Sequence, residues 1–151
     1  MTGQEVESRP HPDLSPIFVI GSGRSGTTLL RLMLCAHPRI YLTHEAMFYL
    51  LEPRFLRKMR ARAGLKSYFR SPAFRSLGID PEKVLAGLPD PLPPGRIGDV
   101  YAALMRAKAA QYGRVRFGDK TPVNTQYIDR IFRDFPDARV IRIIRDPRST
   151  P

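Results

Sequence analysis

The sequence predicts an α/β fold in which a parallel sheet is flanked by helices. Short apolar runs alternate with helix-like stretches, the first run ends in a glycine-rich turn, and polar side chains follow each run. Nearly continuous apolar runs are typical of strands buried on both faces of a parallel sheet. Strands that alternate with helices build such a sheet through right-handed crossovers.

The first part of the chain contains two predicted strands and one helix. Residues 16–21 (PIFVIG) and 39–43 (RIYLT) are the first two apolar runs. Between them, residues 27–37 are apolar on almost every side, which predicts a buried helix that Pro38 ends. Residues 1–15 are polar and contain prolines, so we expect a disordered leader.

The middle of the chain, about residues 46–96, is predicted to be an insertion. It is basic and helical up to residue 76, with most of its cations between residues 54 and 75. From residue 78 to 95 proline and glycine are frequent, which indicates a loop or the base of a mobile segment.

The last third repeats the strand and helix alternation. Residues 97–113 have the apolar spacing of an amphipathic helix, and residues 114–120 (RVRFGDK) are a third strand. Residues 124–137 predict a helix capped by Asn124, and residues 138–146 (ARVIRIIRD) a fourth strand. The buried stripe of that helix would be Ile128, Ile131, Phe132 and Phe135.

The apolar fourth strand needs cover on both faces. The helix that would follow this strand is expected to begin just past Pro151. We expect Val140, Ile141, Ile143 and Ile144 to leave apolar surface open, through which the chain self-associates.

Composition narrows the possible partners and compartment. The 151 residues hold 25 Lys and Arg against 14 Asp and Glu, a net charge of +11 that predicts an anionic partner. Cys35 is the only cysteine, which excludes an internal disulfide and fits a reducing compartment. The longest apolar run is too short to span a membrane, and the leader does not look like a signal peptide, so we expect a cytoplasmic protein.

The turn after the first strand, GSGRSGTT, has the glycine spacing of a phosphate-binding loop. Gly21 and Gly26 lie five apart, as in the Walker A motif, but Thr27 occupies the place of the Walker lysine. Backbone N–H groups of such a loop and the N-terminus of the following helix attract anions. With Arg24 as the nearest cation, the loop suits a short 5′-anion better than a triphosphate.

Each strand exit delivers one candidate side chain to the same edge of the sheet. These are Arg24, Glu45, Lys120 and Arg145, after the first, second, third and fourth strands. Ligands of open α/β sheets bind beyond the carboxyl ends of the strands, so we expect these four residues to form one site.

Two longer segments resemble the sulfotransferases that use 3′-phosphoadenosine 5′-phosphosulfate (PAPS). PIFVIGSGRSGTTLLRLMLCAHP resembles their 5′-phosphosulfate loop, and DARVIRIIRDPRS resembles the start of their 3′-phosphate segment. With HEA and DKTP, the resemblance covers residues 16–48 and 114–149, about half the chain. It implies a phosphate-loop-like fold, PAPS as co-substrate, and an acceptor hydroxyl or amine. Because domains of this family continue beyond the matched segments, the resemblance also implies that residues 16–151 are the N-terminal part of a sulfotransferase domain, truncated after its fourth core strand.

The resemblance also implies roles for individual residues. Arg145 would contact the 3′-phosphate, while Arg24 and Lys120 would neutralise charge on the bridging oxygen during transfer. The 5′-phosphosulfate would be held by Gly23, Arg24, Ser25, Gly26, Thr27 and Thr28.

Glu45 lies where the tyrosylprotein and carbohydrate branches of the family have their catalytic glutamate. The small-molecule branch uses a histidine after the third strand, where this chain has Pro122. The resemblance therefore implies that Glu45 is the base. His44 beside it would orient or pack, and no residues have metal-ligand spacing.

Two other classes remain as alternatives. A phosphate-loop kinase or NTPase shares the architecture, but Thr27 in the lysine position and the lack of a clear Walker B carboxylate on the third strand argue against it. A basic nucleic-acid-binding module would use the cations of the middle segment, but leaves the strand-end residues unexplained.

Overall fold

Four short parallel strands form the sheet that the sequence predicts. The computed structural model describes residues 15–50, 62–89, 97–146 and 148. Within them, the strand order is β2-β3-β1-β4, and all three neighbouring pairs are parallel. The strands are β1 (Ile17–Gly21), β2 (Ile40–His44), β3 (Arg116–Lys120) and β4 (Arg139–Ile143).

Helices connect the strands and cover both faces of the sheet. A 3-10 turn, Phe48–Leu50, follows β2, and a longer one, Pro122–Tyr127, follows β3. The α-helices are α1 (Thr27–Cys35), α2 (Arg62–Phe69), α3 (Pro72–Leu77), α4 (Pro81–Ala86), α5 (Ile97–Ala110) and α6 (Ile128–Asp134).

One face of the sheet carries a core of packed aromatic rings. Phe18 of β1 is fully buried and stacks on Tyr101 of α5, with 5.3 Å between the ring centroids. Phe48 and Tyr49, just beyond β2, contact the same tyrosine ring at 5.4 and 5.7 Å. Because Phe48 and Tyr49 pack against the core, the path of the backbone directly after β2 is fixed.

The other face carries α1, and here the prediction of a buried helix was wrong. A small cluster of Ile17, Val19 and Leu42 packs against the inner side of α1. The outer side is open, with Leu29, Leu32 and Met33 between 54% and 65% exposed. An all-round apolar helix needs cover on every side, and the described residues supply it on one side only.

The proline-rich stretch contains a helix where the sequence predicted a loop. Asp80 caps α4 by accepting a hydrogen bond from the backbone N–H of Glu82, and Pro81 occupies the first turn. Proline favours that position because its missing N–H has no partner there in any helix. The leader up to residue 14 and the segments 51–61 and 90–96 lie outside the described residues.

The predicted helix 124–137 is also divided differently. Its first part is the 3-10 turn, and Asn124 does not cap α6 but is buried, donating to Asp119 Oδ2 at 3.2 Å. Ile131 is buried as expected, whereas Phe132 is 41% exposed.

The exposed surface of the fourth strand agrees with the expectation. Ile141 is 37% and Ile144 is 83% exposed. Self-association through this edge stays a prediction. In the described part of the chain, no helix has the length and apolar character needed to cross a bilayer.

Candidate active site

A cleft of about 670 Å³ opens where the four strands end. All four strand exits contribute to it, together with the 3-10 turn after β3. Its lining residues are Gly21–Gly23, Glu45, Met47, Thr121–Val123, Thr125, Gln126 and Arg142–Arg145. Glu45 and Arg145, predicted from separate strand exits, therefore face the same space.

The glycine loop leaves the N-terminus of α1 open. Gly26 is the N-cap residue, with φ 97°, and no side chain caps the helix. A Cβ added at Gly23 or Gly26 would meet no atom within 4 Å, so the backbone is accessible there. At Gly21, by contrast, a Cβ would lie 2.8 Å from the Ile143 carbonyl oxygen, and only glycine lets β1 and β4 approach so closely.

Of the residues predicted to hold the 5′-phosphosulfate, some are buried in the turn and the others are exposed. Ser25 is buried, and its hydroxyl donates to the Ser22 carbonyl at 2.7 Å, which stabilises the turn. Thr27 is buried as well. Gly23, Arg24, Gly26 and Thr28 are exposed.

Arg145 connects the fourth strand to this loop. Its Nη1 donates to the Arg24 carbonyl at 3.2 Å, and both side chains are exposed. Arg24 itself has φ 58°, a left-handed conformation uncommon outside glycine. The Arg145 guanidinium therefore contacts the backbone of the glycine loop. Of the four residues predicted for one site, Glu45 and Arg145 line the cleft, whereas Arg24 and Lys120 adjoin it without lining it.

Glu45 lies in a sharp turn directly after β2. Glu45 and Met47 both have φ 51°, in the left-handed region. Such non-glycine residues cost about 1–3 kcal/mol each and persist where neighbours determine them. Here the Glu45 N–H donates to the Lys120 carbonyl at 2.8 Å, and the Ala46 N–H donates to Asp119 Oδ1 at 3.1 Å.

Lys120 lies beneath Glu45 and contacts it directly. The β2–β3 register sets Lys120 opposite His44. The Lys120 ammonium donates to Glu45 Oε1 at 2.6 Å and lies 3.1 Å from His44 Nε2. The Lys120 side chain is only 1% exposed, whereas those of Glu45 and His44 are 33% and 54% exposed.

Asp119 is the residue that the sequence analysis missed. It is fully buried on β3 and accepts hydrogen bonds from the Thr43 and Thr121 hydroxyls, the Ala46 N–H and the Asn124 amide. Burial raises its pKa, and these hydrogen bonds act in the opposite direction. The carboxylate joins the exits of β2 and β3 rather than facing the glycine loop.

Other cleft residues were not singled out from the sequence. Arg142 adds a cation to the cleft beside Arg145, and Thr121, Thr125 and Gln126 add polar groups. Only the D-K-T run, in which Thr121 directly follows β3, offered a signal for any of them. Among the residues that the structure describes, no three or more His, Cys, Asp or Glu side chains group closely enough to hold a metal ion.

Comparison with known proteins assigns the family. The model of the sulfotransferase family matches residues 16–150, including the middle segment that the resemblance left out. The chain belongs to the sulfotransferase family.

Several curated proteins are similar over most of this chain. A putative protein-tyrosine sulfotransferase of Caenorhabditis briggsae is 31% identical over 88% of this chain and 40% of its own length. Protein-tyrosine sulfotransferase 1 of Mus musculus is 28% identical over 93% of this chain and 34% of its own length. An uncharacterised protein of Aquifex aeolicus is 28% identical over 95% of this chain and 17% of its own length. The chain thus spans well under half of each relative.

Among solved structures, a sulfotransferase of Mycobacterium avium is similar to this chain. It is 16% identical, with a TM-score of 0.47, over 91% of this chain and 46% of that one.

Proposed function

We propose that this chain carries the donor-binding loop and the catalytic base of a sulfotransferase. The enzyme transfers a sulfuryl group from PAPS to a hydroxyl or amine of an acceptor. The observation that carries the proposal is that Glu45, paired with Lys120, faces the same cleft as the open glycine loop and Arg145.

The loop end of the cleft fits a donor with two separate anions. The uncapped N-terminus of α1 and the accessible backbone at Gly23 and Gly26 suit the 5′-phosphosulfate. Arg145 suits the 3′-phosphate, because a guanidinium forms strong charge-assisted hydrogen bonds with phosphate oxygens. Thr28 is the exposed hydroxyl of the predicted set.

The Glu45 end of the cleft fits the transfer step. Glu45 takes the proton from the acceptor hydroxyl while the oxygen of that hydroxyl forms a bond to sulfur. The bond from sulfur to the bridging oxygen breaks, and adenosine 3′,5′-bisphosphate leaves with that electron pair. Arg24 on the loop and Lys120 supply positive charge against the negative charge that develops on the leaving oxygen.

The environment of Asp119 on β3 argues against the alternative of a phosphate-loop kinase or NTPase. Asp119 has the strand position of a Walker B residue, but its oxygens accept four hydrogen bonds from within the protein. It has no exposed surface from which to hold a hydrated magnesium ion.

The substitution Glu45→Gln tests the assignment of the base. Glutamine keeps an oxygen that can accept from Lys120 but cannot take the proton, so turnover should fall about 10²–10⁴-fold. Sulfuryl transfer and donor affinity would be measured in the full-length protein. Glu82→Gln, at an exposed position of α4, is the matched control. Unchanged turnover in Glu45→Gln would exclude Glu45 as the base.

A further inference from the structure

Three side chains at the exits of β2 and β3 are joined by contacts to one buried ammonium. Glu45 lines the cleft, and Lys120 is buried beside it and contacts both Glu45 and His44. The distances are 2.6 Å from Lys120 Nζ to Glu45 Oε1, 3.1 Å from Lys120 Nζ to His44 Nε2, and 4.0 Å between Glu45 Oε1 and His44 Nε2. His44 is the outer member, with 54% of its side chain exposed.

This arrangement creates an electrostatic problem for a catalytic glutamate. Lys120 is a buried cation whose counter-charge is Glu45. When Glu45 accepts a proton it becomes neutral, and a buried ammonium without its anion is strongly unfavourable. Although Glu45 is itself 33% exposed, a path that carries the added positive charge away from Lys120 favours the return of Glu45 to a carboxylate.

We propose that His44 and Lys120 form a proton relay that carries the acceptor's proton from Glu45 to solvent. The inference rests on the proposed function, since the relay acts on the proton that Glu45 removes. Lys120 gives one N–H proton to His44 Nε2 and takes the proton from Glu45. Glu45 is again a carboxylate and Lys120 again an ammonium, while the imidazolium releases its Nδ1 proton to water.

The geometry assigns the resting state of the imidazole. An ammonium has only donors, so His44 Nε2 must accept from it, and the proton of the neutral ring lies on Nδ1. The charged groups in contact with the ring are Lys120 and Glu45. Arg31 of α1 donates through Nε to the Leu42 carbonyl, two residues before His44, at 2.7 Å. The exposed ring can therefore exchange its second proton with water while Lys120 holds the first nitrogen.

Two substitutions of His44 separate a relay from a structural contact. His44→Gln keeps an oxygen that can accept from Lys120 but cannot carry a proton, whereas His44→Ala removes both properties. We expect both variants to lose about 10²-fold in turnover, with donor affinity unchanged. Imidazole added to the buffer should restore much of the turnover of His44→Ala. His37→Ala, at an exposed position two residues beyond α1, is the matched control and should keep wild-type turnover with or without imidazole.

The outcomes decide between the two roles. Near-normal turnover of His44→Gln, or no response of His44→Ala to imidazole, would contradict the relay and leave the role of Glu45 standing. Absence of any turnover in the wild-type protein with PAPS and a panel of acceptors would count against the proposed function as well as the relay.

The tautomer of His44 gives a test that does not depend on turnover. Imidazole ¹⁵N spectra of the wild-type protein should show His44 Nε2 as an unprotonated acceptor and Nδ1 as the protonated nitrogen. A proton resident on Nε2 in the neutral ring would contradict the contact with Lys120, and with it the relay.

Discussion

The two ends of the cleft differ in burial and in how their polar groups are used. At the exits of β2 and β3, Glu45 and Lys120 are paired at 2.6 Å, and Asp119 beneath them is fully buried. At the exits of β1 and β4, Arg24 and Arg145 are exposed, and α1 begins without a side-chain cap. At the first end the charged side chains are hydrogen-bonded within the protein, whereas the second end offers donors to a ligand.

This difference indicates that proton transfer takes place at the exits of β2 and β3, and that the anionic donor binds at the exits of β1 and β4. A closed, charge-paired end holds reacting groups in fixed geometry, which is what a proton transfer requires. An open end with exposed arginines suits the binding of an anionic donor. Substitutions at the closed end should therefore change turnover, and those at the open end should change affinity.

At the open end, the largest effect on affinity is expected from a substitution of Arg145. Removing one charge-assisted contact, worth about 1.5–3 kcal/mol, should weaken binding of adenosine 3′,5′-bisphosphate about 10-fold to 100-fold in Arg145→Ala. The dissociation constant would be measured by calorimetry. Arg75→Ala removes an exposed arginine of α3 that does not line the cleft, and this variant should bind as the wild type does. Equal affinity in Arg145→Ala and Arg75→Ala would show that Arg145 does not contact the ligand.

A smaller effect at the closed end concerns Asp119 and pH. Burial raises the pKa of Asp119 above its ordinary 3.8, so the folded chain holds that proton to higher pH than the unfolded chain does. The free energy of unfolding contributed by this group is therefore greatest below pH 3.8 and falls as pH rises through the folded pKa. Because burial also raises the pKa of Asp134, urea unfolding over a pH series should show a steeper fall in the wild type than in Asp119→Asn. Parallel curves for the two proteins would mean that Asp119 titrates alike in both states.

The strands and the glycine loop could be predicted because their signals are local. Each strand is a short apolar run, and the loop is recognised by the spacing of Gly21 and Gly26. Helix α4 was missed because Pro81 breaks a helix interior but suits a helix start after Asp80. Which sides of α1 are covered depends on neighbours that its own residues do not specify.

The closed end of the site could be predicted only in part, because its contacts join distant segments. Glu45 and Lys120 were predicted from the position of strand exits, but the hydrogen bond between them spans 75 residues along the chain. Asp119 is one acid in a five-residue strand, and its bonds to Thr43 and Ala46 span 76 and 73 residues. No periodicity or motif spacing in a single sequence records such contacts.

A comparison of which nucleotide binds at the open end is the most direct test of a sulfate-donor site. Adenosine 3′,5′-bisphosphate carries the 5′- and 3′-anions that suit the glycine loop and Arg145, whereas ATP carries β- and γ-phosphates for which this loop has no Walker lysine. Because a ligand that binds the folded state raises the melting temperature, thermal unfolding with each ligand ranks the two. We predict the larger increase with adenosine 3′,5′-bisphosphate. A larger increase with ATP and magnesium would contradict the sulfotransferase site and favour a kinase or NTPase.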